Sequence, residues 1–186
     1  MSKFKQTYDN ICGKEQANMI AQGLSGIAGF PFTLAVDAGV IPTLYMPMYS
    51  KLRSLFGRTT SQNDKIKDLI LEIAPEILSD FLFDKIIGNV PLIGIYFNAI
   101  CAKSMTWRLG ILFTMLSARG EEISSEKVSE SMALIRASFP QKNFWRFIRP
   151  SYSEFERLCV QFQNISQSEY NARVDRKLKE MKIADF

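Results

Sequence analysis

A chain of 186 residues that is 47% hydrophobic and 23% charged can bury one core, with room for an appended helical segment. Its formal net charge of +4 is mild and no Lys/Arg run concentrates it, so nucleic acid is not expected as a partner and only a weak preference for anionic surfaces such as lipid headgroups remains. The chain holds no His, which excludes imidazole acid/base chemistry, Ser/His and Cys/His nucleophile pairs and the common zinc patterns.

The opening stretch, MSKFKQTYDNICGKEQ, has basic residues but no apolar segment with a small-residue cleavage site, so secretion by that route is not expected. Cys12, Cys101 and Cys159 lie far apart and cannot all pair within the chain, which fits a reducing compartment. Gly13-Lys14 resembles the end of a phosphate-binding loop, but Tyr8 stands where the first glycine of GxxxxGK is required. Apolar residues at three- and four-residue spacing predict a first helix from about residue 14 to 27, ended by the GFPF punctuation at Gly29 and Pro31. The apolar run GFPFTLAVDAGVIPTLYMPMYSKL follows, and Asp37 is the one charged side chain between Glu15 and Lys51. Asp37 either caps the next helix, accepting from the backbone N–H groups at 39 and 40, or belongs to a surface that receives a partner's cation.

Pro42 suits the first turn of a helix reaching Phe56, with Pro47 as an internal kink and Gly57 as the stop. Ser61 and Asp64 have the spacing of a capping box for the next helix, which Pro75 bends or splits. Along it Asp64, Asp68, Glu72, Glu76, Asp80 and Asp84 recur every fourth residue, each step drifting by about 40° around a helix. This acidic ridge reads as a solvated face or, more sharply, as a docking strip for a basic partner. Metal binding is the weaker reading, because Pro75 interrupts the ridge and no other ligand type accompanies it.

A second apolar block, IIGNVPLIGIYFNAICAKSMTWRLGILFTML, opens on a Gly-Asn and Pro turn and continues as a helix to about residue 118. Its charge-free part, 86 to 102, falls short of the roughly 20 apolar residues of a bilayer span, and the run from 16 to 36 is broken by Gly29 and Pro31. Further on, KNFWRFIRPSYSEF interleaves Lys142, Arg146 and Arg149 with Phe144, Trp145, Phe147 and Ile148. Rings and cations together suit a lipid headgroup interface; the alternative is a connector whose aromatics pack into the core. Ser151 and Glu154 form a second capping box, opening a helix whose apolar stripe includes Leu158, Phe162, Ile165, Val174, Leu178 and Met181, with a possible break at Ser166 to Ser168.

The order of these features resembles the helical domain of unknown function that follows the G domain in some Era-like bacterial GTPases and recurs in YcjF-like inner-membrane proteins. The resemblance spans residues 17 to about 122 and rests on Asp37, Pro42 and Phe56-Gly57, then Pro91, Ile93, Gly94 and Arg108-Leu109-Gly110. Trp107 and Arg108 depart from the small residues of that pattern. The resemblance implies a membrane-associated or GTPase-coupled module with no assigned activity. Since a P-loop is missing, the GTPase would be a separate polypeptide.

The expectation is therefore an all-α chain built around two apolar, Gly/Pro-interrupted helical segments (1–122), with a C-terminal helical extension (123–186). Its expected function is that of a non-enzymatic, membrane-associated interaction module at the cytoplasmic face of the inner membrane, with no catalytic residue, cofactor or metal. A protein partner, with a GTPase as the candidate, and a membrane surface are the expected partners. A soluble cytoplasmic adaptor, or a toxin-like effector that inserts a hydrophobic hairpin, are the alternatives.

Overall fold

Ser2 caps the first helix: its Oγ accepts a hydrogen bond from the backbone N–H of Lys5 at 3.1 Å and its carbonyl accepts from Gln6 N–H at 3.1 Å. In this computed structural model, which describes residues 1–26, 43–60, 66, 68–70, 91–138, 147–163 and 165–184, the helix so started is α1, Lys3–Gly26. It begins eleven residues before the expected position, because the Ser2 cap supplies a start and Phe4, Tyr8, Ile11 and Cys12 give the preceding turns an apolar stripe that packs on the core.

After a π-helical turn at 43–45 comes α2, Met46–Leu55. Pro47 stands in the first turn of this α-helix, directly after the π-helical turn, so the change from π- to α-helical geometry falls at the proline expected to disturb the helix. The other end is as expected: Phe56 is the C-cap and Gly57 takes the left-handed conformation at φ 71°, with Gly57 N–H donating to Ser54 C=O and Arg58 N–H to Arg53 C=O, both at 3.0 Å. The second apolar block forms α3, Pro91–Arg119, with Pro91 in its opening turn and Gly120 at φ 76° just past its end.

Every residue from 104 to 117 is buried, so the middle of α3 is covered on all sides and stands at the centre of the fold. Its hydroxyls are kept satisfied locally: Thr106 Oγ1 donates to Ala102 C=O at 2.8 Å and Thr114 Oγ1 to Gly110 C=O at 2.6 Å. Around it pack α1, α2, α4 (Ser125–Ser138) and α5 (Tyr152–Gln163), while α6 (Gln167–Ala184) lies on α4. The α1 and α3 backbones approach closely where Gly110 faces Ile11; a Cβ on Gly110 would lie 2.7 Å from the Ile11 side chain. The expected capping box at the start of α5 is formed, with Ser151 N–H donating to Glu154 Oε2 at 2.8 Å and Glu154 N–H to Ser151 Oγ at 3.3 Å. The expected break before α6 is also present, and Ser166 Oγ caps the new helix by accepting from Glu169 N–H at 3.2 Å.

The described residues contain six helices and no strand, the all-α architecture expected. Among them, no helix is long and apolar enough to cross a membrane.

Candidate interaction site

Glu15 is 3% exposed, a carboxylate held in the core side of α1. An ion in such a place is tolerated only with paired charge and filled hydrogen bonds. Both are supplied. Trp107 Nε1–H donates to Glu15 Oε2 at 2.7 Å, Arg149 Nε–H donates to the same oxygen at 2.8 Å, and Lys103 Nζ stands 4.0 Å from Oε1. The hydrogen bond to Glu15, opposed by a smaller effect of burial, raises the Arg149 pKa, so its guanidinium stays charged.

One turn or two away on α1, Tyr8 makes the companion contact. Its hydroxyl donates to the Pro150 carbonyl at 2.8 Å, and its ring lies 5.1 Å from that of Trp107 and 5.6 Å from those of Tyr152 and Phe155. Burial raises the Tyr8 pKa, keeping the phenol protonated as the bond to Pro150 requires. Lys5 Nζ sits over the Tyr8 and Tyr152 rings at 5.4 and 5.6 Å. The segment 147–150 is thus pinned to the body at two successive residues, by an ion pair at Arg149 and a neutral hydrogen bond at Pro150.

Between the half-buried Phe147 and the ion-paired Arg149, Ile148 is 72% exposed, which for a large aliphatic side chain on an anchored segment is unusual. Beside it opens a cleft of about 190 Å³ whose walls include Ser104, Arg108, Ser138, Ile148, Arg149 and Glu154. Glu154 is committed to the α5 cap, and its hydrogen bonds with Ser151 lower its pKa. Arg149 reaches Glu15 through Nε, and its two Nη groups hold no hydrogen bond among the described residues.

Of the residues singled out in the sequence, Phe147 and Arg149 stand at this site, but not as free interface groups. Phe147 packs against the core, and Arg149, with a side chain 40% exposed, is ion-paired to Glu15. Asp68 is exposed. Asp37, Asp64, Glu72, Glu76, Asp80 and Asp84, and likewise Lys142, Phe144, Trp145 and Arg146, lie outside the described residues. Glu15, Tyr8, Lys103 and Trp107 belong to this site by their contacts and were not among the site residues read from the sequence. The available signal was the spacing of Tyr8, Cys12 and Glu15, which puts a carboxylate on an otherwise apolar helix face.

Among the described residues no group of His, Cys, Asp and Glu could hold a metal ion. Burial raises the thiol pKa of both Cys12 and Cys159, so neither is an activated nucleophile. No family model, no curated protein and no solved structure matches this chain.

Proposed function

We propose that the chain is a non-enzymatic helical interaction module that rests on an anionic membrane surface through the segment 142–149 and works with a separate GTPase-type partner on the cytoplasmic side. The observation that carries the membrane half of this reading is Ile148, 72% exposed and flanked by a cation on a segment pinned to the body. The pinned segment 147–150 loses little freedom on docking, and the sequence 142–149, KNFWRFIR, supplies the rings and cations that a headgroup layer favours. Docking here is by lying on the surface, with the apolar middle of α3 kept inside the fold.

The GTPase half rests on the resemblance of the motif residues. Gly57 and Gly110 have structural roles, a positive φ and a close helix approach, so a partner surface is to be sought on exposed groups such as Asp68. The complete burial of 104–117 favours a second reading, a soluble adaptor that uses the same Ile148 face for a protein.

Flotation of the full chain with phosphatidylcholine vesicles, with and without phosphatidylserine, tests the membrane reading. Binding is expected with the anionic vesicles at low salt, falling as salt rises. Ile148→Asp is expected to weaken it by about 10-fold or more, the equivalent of losing an aliphatic side chain from an apolar layer. Its melting temperature should stay that of the wild type. A wild-type chain that remains in solution beside anionic vesicles at low salt refutes the reading.

A further inference from the structure

The cleft beside Ile148 combines features that a flat electrostatic contact does not need. Two guanidiniums, Arg108 and Arg149, and two hydroxyls, Ser104 and Ser138, share its walls with Trp107, Ile111 and Phe147. Arg108 and Ser104 are each 3% exposed, so these polar groups are set deep in the fold and do not trail over its surface. Arg149 is oriented by its Nε–H bond to Glu15, and that bond leaves both Nη groups without a partner among the described residues. A guanidinium fixed through Nε, with its fork still open, suits a tetrahedral oxyanion better than a diffuse surface charge. The carboxylate among these lining residues, Glu154, has its Oε2 held by Ser151, and Arg149 keeps its ion pair with Glu15 outside the cleft lining.

Size narrows the ligand. At about 190 Å³ the cleft lies below the roughly 300 to 1,000 Å³ of sites that enclose a cofactor or drug-sized molecule, so it cannot enclose a whole nucleotide, whereas one phosphate with its nearest carbons fits. The exposed Ile148 and the partly buried Phe147 sit at the same wall, which places apolar surface where the rest of an amphiphile would continue.

We propose that this cleft is a phosphomonoester site, formed by the open guanidinium fork of Arg149 with the Ser104 and Ser138 hydroxyls, and that on a membrane it takes the terminal phosphate of a lipid headgroup. The membrane half of this assignment rests on the surface-docking reading above; the phosphate half stands on the cleft alone. A phosphomonoester presents three terminal oxygens and carries more charge than the phosphodiester of an ordinary anionic lipid. The open Nη fork can bind two of those oxygens, leaving the third for a hydroxyl.

The full chain is tested with three vesicle preparations: phosphatidylcholine alone, phosphatidylcholine with phosphatidylserine, and phosphatidylcholine with phosphatidate, the last two matched in surface potential. A parallel titration uses glycerol 3-phosphate in solution. Phosphatidate vesicles are expected to bind about 10-fold more tightly than the charge-matched phosphatidylserine vesicles, the scale of one charge-assisted pair of hydrogen bonds. Ser138→Asp, which puts a carboxylate into the cleft without touching Glu15, should abolish that preference while leaving phosphatidylserine binding in place. Arg149→Lys, which keeps the charge but lacks the fork, should reduce it.

Glycerol 3-phosphate binding that Ser138→Asp removes, without any phosphatidate preference, supports the cleft and assigns its ligand to soluble phosphate. Equal binding to both anionic vesicles, together with no binding of glycerol 3-phosphate, overturns the cleft and leaves surface docking intact. Failure to bind any vesicle overturns surface docking, and the solution titration then decides the cleft by itself. Binding of an acidic peptide but neither phosphate probe also overturns the proposal.

Discussion

Replacing Glu15 by Ala removes the acceptor on which two elements converge, and the structure allows the cost to be built up by parts. Trp107 is 2% exposed, so its indole N–H would lose a 2.7 Å bond with no water to replace it, which costs about 1 to 3 kcal/mol. The Arg149 side chain is 40% exposed, so the lost ion pair adds only about 0 to 1 kcal/mol after solvent screening. Deleting the buried methylene adds about 1 kcal/mol, for a total of about 2 to 5 kcal/mol. For a chain of this length that corresponds to a melting temperature lower by roughly 4 to 20 °C. Glu15→Gln retains an oxygen that can accept from Trp107 and should lose about half as much or less, on the order of 1 to 2 kcal/mol. Urea unfolding at neutral pH, followed by circular dichroism, measures both variants, and unchanged m-values would show that the denatured state is the same. A Glu15→Ala midpoint within about 0.5 kcal/mol of wild type refutes the argument that this carboxylate holds α1, α3 and 147–150 together.

Two further outcomes follow from particular contacts. In Gly110→Ala the new methyl meets Ile11 at 2.7 Å, and overpacking should outweigh the roughly 1 kcal/mol gained in helix propensity, giving a net loss that Ile11→Ala relieves in the double variant; a stabilised Gly110→Ala chain contradicts the close approach. At Glu121 burial acts to raise the carboxyl pKa, but hydrogen bonds from Lys127 and Arg119 prevail and hold it below its ordinary 4.5. The stability this provides is present above that ordinary value and lost as pH falls through the lower folded one, so Glu121→Gln should be less stable than wild type at neutral pH, with the gap closing in acid. Parallel unfolding curves for the two chains at all pH values argue against it.

How far the sequence could be read depended on the distance over which each feature is encoded. The stop at Phe56-Gly57, the end of α3 near residue 118, the Ser151–Glu154 box and the break before α6 all lie within a few residues of their signal, and all stand where they were expected. The start of α1 was equally local but was masked by its mixed first turns, in which Lys5 and Asp9 form an i,i+4 ion pair on the outer side. The site could not be read this way, because Glu15 meets Trp107 across 92 residues and Arg149 across 134. No short-range pattern distinguishes such a carboxylate from a surface one. Trp107 and Arg108 did stand out as departures from the small residues of the resembling pattern, and both line the cleft.

Buried polarity in this fold is of two kinds, and the difference explains why the site is where it is. Thr106 and Thr114 donate to carbonyls four residues back on their own helix, so they would be satisfied in any packing of α3. Glu15 and Trp107 are satisfied by each other and, at Glu15, by Arg149 and Lys103, contacts that cross between elements, so they select one arrangement of α1 against α3 and one course for 147–150. Gly110 lies three residues from Trp107 and Ile11 four residues from Glu15, about one turn in each helix, so the approach that the missing Cβ permits is also what brings the carboxylate within reach of the indole. The same carboxylate then fixes Arg149 by Nε alone. The position of the exposed Ile148 and the open guanidinium fork beside it is therefore set from inside the core, by a helix contact one turn away.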